Sequence, residues 1–134
     1  MLFRSAPADA LEVHVVVDAQ QGKLYADCFQ RTHPGGTLRQ AQPTRIVEIG
    51  EWSAGLSDGA YVSGPAMARY ADRLPDRLRP APAVDWEPRI GALWKLGVGD
   101  YQAGRRDDFW TLEPMYLRAS SAEIKWDRLH PPTG

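Results

Sequence analysis

The chain has 134 residues and a mass of 14.9 kDa, close to a single domain at roughly 150 residues per domain. An apolar fraction of 43% and a charged fraction of 25% are ordinary for a folded domain and argue against a disordered or membrane-spanning chain. With 16 basic and 17 acidic side chains the net charge is −1, so no global field draws the protein onto nucleic acid or anionic lipid. The lone Cys28 excludes an internal disulfide and a cysteine-only zinc site. A chain of this mass exposes about 21,600 Å² unfolded and about 7,000 Å² when compactly folded, enough burial for a core without staples. Residues 1–10 hold one basic side chain and no apolar run of secretory length, and no stretch of about 18 apolar residues occurs anywhere. The expected address is the cytoplasm, with no membrane partner.

Residues 11–18 (LEVHVVVD) are β-branched, too short for a helix and too apolar for an exposed edge, so they predict a buried strand. A tight connection at 19–22 leads to 23–31 (KLYADCFQR). There Leu24, Ala26 and Cys28 alternate with Tyr25, Asp27 and Phe29, which completes a β-hairpin. His33-Pro34-Gly35-Gly36 is a turn, and a third strand is expected at 44–49 (TRIVEI). Residues 50–59 predict a short helical turn with loop, and 60–63 (AYVS) a short strand. Gly64-Pro65 then opens a helix in which Met67, Tyr70, Ala71 and Leu74 form one apolar stripe before Pro75 ends it. The proline-rich segment 79–88 is an extended connector. A second helix is expected at 87–102 with Ile90, Leu93, Trp94, Val98 and Tyr101 on the face it buries; its glycines 91, 97 and 99 imply close packing against a neighbour. Residues 104–108 form a charged loop, 113–118 a short extended segment, and 120–134 a polar tail carrying Trp126.

The chemistry such a chain carries is thin. His14, His33 and His130 lie in a strand, a turn and the tail, none with a second ligand three or four residues away, so His14 reads as a hydrogen-bonded core residue and the others as surface. Cys28, which the hairpin sets near His14, reads as core, because a reactive thiol needs an accessible electropositive site. Asp18 ends a strand, a position from which a carboxylate can hold a metal or act as a base, but it has no partner carboxylate on the hairpin. Arg69, Arg73 and Arg77, with Asp72 and Asp76 between them, predict a solvated helix face with short-range ion pairs. Arg105, Arg106, Asp107 and Asp108 predict a solvated loop. No phosphate loop, dinucleotide fingerprint or serine elbow is present. No catalytic, cofactor-binding or metal residue is therefore expected. Trp94, Trp110 and Trp126 either close the core of the last third or mark a partner surface.

The strand-turn-strand of Val17-Asp18-Ala19, a polar pair, Gly22 and Tyr25, followed by 88–104 (PRIGALWKLGVGDYQAG) and by Pro114, Tyr116, Leu117 and Arg118, resembles the C-terminal half of the TsaB (YeaZ) family. Tyr61 to Arg69, with Gly64, is similar to that family's strand-to-helix step, less closely. The ordered combination covers about residues 13 to 120. The resemblance implies a ribonuclease-H-like, actin-like ATPase lobe: α/β, a mixed sheet opened by the hairpin and backed by helices. It implies one domain over 1–134 that stands for the C-terminal lobe, without the family's N-terminal lobe. The implied role is non-catalytic support of tRNA threonylcarbamoyladenosine modification beside a TsaD-like catalytic subunit. A TsaE-like ATPase joins where the missing lobe is present, and tRNA is met only indirectly. In the family the N-terminal lobe carries most of the contact with the catalytic partner, so that contact transfers to no residue here. The older glycoprotease-like label implies a hydrolase instead, and a free-standing lobe implies a homodimeric interaction module.

Overall fold

A computed structural model describes residues 6–114 together with 117, 126, 129 and 130. Five strands, β1 (Glu12–Asp18), β2 (Lys23–Gln30), β3 (Arg39–Glu48), β4 (Tyr61–Ser63) and β5 (Arg79–Pro80), form one mixed sheet in the order β3-β2-β1-β4-β5. β2 runs antiparallel to β1 and β3, whereas β1, β4 and β5 are mutually parallel. This is the expected α/β arrangement, a mixed sheet opened by the β1–β2 hairpin. Among the described residues three α-helices alternate with the later strands: α1 (Ile49–Ala54), α2 (Met67–Tyr70, continued by a tighter turn at Ala71–Arg73) and α3 (Ile90–Gln102).

The β1–β2 register sets Val16 opposite Ala26 and His14 opposite Cys28, so one face gathers the inward set of both strands. Val16, Leu24, Ala26 and Val62 from the sheet meet Trp52 of α1, Met67 and Tyr70 of α2, and Leu78 in the main core. The other face is thinner: Val13 and Tyr61 pack with Ala10 and Ala81. The hairpin connection passes through Gln20 and Gln21 at positive φ; the Gln20 N–H donates to Asp18 Oδ1 at 2.7 Å, the local bond that lets an aspartate open a turn. Gly64, at φ +115°, carries the chain from β4 into α2 hard against β1. A Cβ there would lie 2.3 Å from the Val16 carbonyl oxygen, so only glycine fits. Leu74 is extended before Pro75, which ends the helical path as the residue preceding proline should.

Four expectations need correction. β3 starts at Arg39 rather than Thr44, because a bulge opposite Ala26–Phe29 accommodates Pro43, and the strand's first half shows no apolar alternation. The connector over 79–88 contributes β5, whose Arg79 and Pro80 pair with Tyr61 and Val62. The arginine stripe is not one helix face, since the helix stops before Arg77. Finally, only α2 buries its stripe. α3 starts at Ile90, after Pro88 and an extended Arg89, and has no buried residue. The short extended segment at 113–118 and the tail at 120–134 lie largely outside the described residues, Tyr116 and Arg118 among them.

Candidate interaction surface

The groups with latent chemistry are held as structure. His14 is buried on β1, its Nε2 2.8 Å from Glu12 Oε1 and its ring edge-on to Trp52 at 5.9 Å. Burial pushes Glu12 up, but the hydrogen bond and charge of His14, with Gln30 and Ser57, outweigh it and hold the carboxyl below its ordinary value. Cys28 is buried beside them, and desolvation, reinforced by Glu12 and Asp27, pushes its thiol up, the reverse of an activated nucleophile. Asp18 accepts from Arg69 Nη1 at 3.0 Å. No group of three His, Cys, Asp or Glu side chains that could hold a metal occurs among the described residues. His33 and His130 are exposed.

Two polar arrangements, one buried and one half-buried, escape a reading of the sequence. Asp27 is buried on the face away from the main core and accepts hydrogen bonds from Thr44 Oγ1 and, at 3.2 Å, from Gln40 Nε2. Arg77 turns back to the end of α1. Its guanidinium donates to the carbonyls of Ser53 at 2.8 Å, Ala54 at 2.9 Å and Leu56, and to Asp58 at 3.2 Å, satisfying carbonyls that a helix end leaves open. The signal for Arg77 was only negative, a basic residue beyond the proline that ends its helix. For Asp27 it was an acid in an alternating strand.

A cleft of about 510 Å³ beside β3 and α1 is lined by Lys23, Arg45, Glu48, Glu51 and Trp52. Both signs are present, and Lys23 lies 3.8 Å from Glu48, so the cleft presents no single-sign field to an ion.

The feature that stands out is α3. At 100° per residue Ile90, Leu93, Trp94, Gly97 and Tyr101 share one face, and these large side chains face solvent: Ile90 is 81% exposed, Leu93 55%, Trp94 72% and Tyr101 63%. Phe109, Trp110 and Leu112 are also exposed. Trp94, Trp110 and Trp126 therefore close no core among the described residues. The rim charges are satisfied within the chain. Arg89 reaches Asp85 at 3.4 Å, Arg105 reaches Asp100 at 3.0 Å and Asp107 at 3.2 Å, and Arg106 lies 3.6 Å over the Tyr101 ring.

No protein-family model and no curated protein matches the chain. Among solved structures it is similar to an uncharacterized protein with similarity to peptidase YEAZ from Pseudomonas aeruginosa. That likeness has a TM-score of 0.58 at 24% identity and covers 81% of this chain and 50% of that one. YeaZ from Pseudomonas aeruginosa gives the same TM-score of 0.58 at 20% identity, again over 81% of this chain and 50% of that one. The chain thus spans about half the length of the structures it matches, and at these identities the likeness shows a YeaZ-like fold.

Proposed function

We propose that this chain is a non-catalytic, TsaB-like scaffold lobe that supports threonylcarbamoyladenosine modification next to the anticodon of tRNA. The observation that carries the reading is the shared architecture: the same fold as YeaZ over 81% of the chain, with the hairpin that carries the sequence resemblance at the centre of the sheet. Its partner in this reading is a TsaD-like catalytic subunit, which performs the transfer in the cytoplasm and meets the tRNA. A TsaE-like ATPase joins when the other half of the fold is supplied. An exposed apolar helix face with internally paired charges suits a scaffold, whose work is to bury surface on assembly. The peptidase similarity belongs to the description of the neighbour; here the one thiol is buried and pushed up, which supports the non-catalytic reading over a hydrolase.

The test is reconstitution. A TsaD-like subunit is assayed for threonylcarbamoyl transfer to tRNA alone, with this chain, and with this chain plus a polypeptide supplying the other half of the YeaZ fold. The reading expects stimulation and co-purification at least in the last mixture. Failure of binding and stimulation in all mixtures would count decisively against it.

A further inference from the structure

We propose that the cleft beside β3 and α1 is a binding site for a small zwitterion with an apolar body, a free α-amino acid or a short peptide. The ligand's carboxylate meets Arg45, its ammonium meets Glu51, and its apolar side chain rests on Trp52 and Leu56. The site is separate from the scaffold reading, and neither depends on the other.

Size, floor and charge together select this class. The cleft holds about 510 Å³, within the roughly 300–1,000 Å³ of small-molecule sites. Along β3, Arg45 stands opposite Ala26 and Val47 opposite Leu24, so both side chains fall on the face that carries the main core. Val47, Trp52 and Leu56 pack into that core and also line the cleft, which gives it an apolar floor continuous with the interior. Trp52 is only 6% exposed, yet its indole N–H has no acceptor among the described residues, which leaves one donor over beside the cleft. At the end of the outer strand Lys23 and Glu48 lie 3.8 Å apart and offset each other. Arg45 and Glu51 are not offset in this way. Both are exposed, and among the described residues neither side chain forms an ion pair or a hydrogen bond. A lone anion drawn by Arg45 is opposed by Glu51, and a lone cation drawn by Glu51 is opposed by Arg45. A ligand that carries both charges satisfies both residues, and the guanidinium fork takes a carboxylate through two parallel hydrogen bonds. An apolar side chain on the same ligand then covers Trp52 and Leu56 and releases the water over them.

The experiment follows the tryptophan indole N–H resonances of the whole, ¹⁵N-labelled chain. That of Trp52 is identified by its loss in Trp52→Phe or by its nuclear Overhauser contact with the His14 ring, 5.9 Å away between centroids. L-leucine and L-leucyl-L-leucine are the zwitterionic probes; 4-methylpentanoate carries only the carboxylate and 3-methylbutylamine only the ammonium. A saturable shift of the Trp52 resonance is expected with at least one zwitterion, with a Kd of about 1 mM, and the tighter of the two says whether the source is a free amino acid or a peptide. Each singly charged analogue is expected to bind at least about tenfold more weakly, as are L-leucine and L-leucyl-L-leucine to Arg45→Gln and to Glu51→Gln. Both residues are exposed, so these variants keep the fold, and circular dichroism checks it. The double exchange of Arg45→Glu with Glu51→Arg is expected to recover most of the affinity that Arg45→Glu alone removes, since the ligand then lies reversed; a merely structural role gives no such rescue. No saturable shift with either zwitterion up to about 50 mM, equal binding of a singly charged analogue, or affinity unmoved by Arg45→Gln and Glu51→Gln overturns the proposal.

Discussion

Replacing Gly64 by alanine is the sharpest perturbation of this fold. The new methyl would stand 2.3 Å from the Val16 carbonyl oxygen and 2.7 Å from its nitrogen, both backbone atoms of the central strand β1 that cannot swing aside. At φ +115° the alanine also takes on backbone strain of about 1–2 kcal/mol. Relieving the overlap costs about 1–3 kcal/mol more, and it pulls Ala66 N–H from the Val16 carbonyl, now 3.2 Å away, at about 1 kcal/mol. The sum is about 4 kcal/mol, a large part of the stability of a small domain. The packed part of the molecule spans about 80 residues, for which 1 kcal/mol moves the melting temperature by about 6 °C, so Gly64→Ala should melt about 24 °C lower. Gly59→Ala is the internal control: its φ is +78°, but a Cβ there meets nothing within 4 Å. Only strain remains, about 1 kcal/mol, or about 6 °C. Differential scanning fluorimetry on the two variants separates the terms, and melting temperatures within a few degrees of each other would refute the close approach of β4 to β1.

Three further outcomes follow from the side chains. Arg77→Lys keeps the charge but loses the planar fork that serves three carbonyls of α1 and its end; it should cost about 2 kcal/mol in urea unfolding, and a loss below about 0.5 kcal/mol would contradict the capping role. Glu12 is held below its ordinary value in the folded chain, so its contribution is complete above about pH 4.5 and disappears as pH falls through the folded value. Glu12→Gln should therefore be less stable at neutral pH by up to about 1 kcal/mol and lose less than the native chain between about pH 5 and pH 3. A parallel acid limb for both proteins would argue against the His14–Glu12 pairing. Native Cys28 should react with iodoacetamide at pH 8 far more slowly than in urea, because it is buried and its thiol pushed up; equal rates would mean that the hairpin face is open.

The hairpin was legible because each of its parts is specified locally: a β-branched run, an Asp–Gln turn, and an alternation that puts Leu24, Ala26 and Cys28 on the core side. The short strand into Gly64 and the α2 stripe were legible for the same reason. The first half of β3 was not, since Arg39, Gln40 and Gln42 are exposed and a bulge displaces their register. β5 was hidden by its length of two residues. α3 divides the lesson. Periodicity marked its apolar face correctly, but periodicity reports which side of a helix avoids water and says nothing of what lies opposite, and here its own sheet does not. Arg77 and Asp27 depend on contacts 19 to 24 and 13 to 17 residues away, which no local pattern encodes.

Proline stands on both outer strands of the sheet, Pro43 in β3 and Pro80 in β5. A ten-residue outer strand such as β3 would otherwise offer a row of open amides and carbonyls for an extended chain to continue the ladder. Pro43 withdraws one donor in mid-strand, the bulge twists the row out of register, and at the far side a two-residue strand gives an incoming segment almost nothing to grip. Among the described residues, neither border of the sheet therefore offers an extended chain an unbroken row of backbone groups to continue.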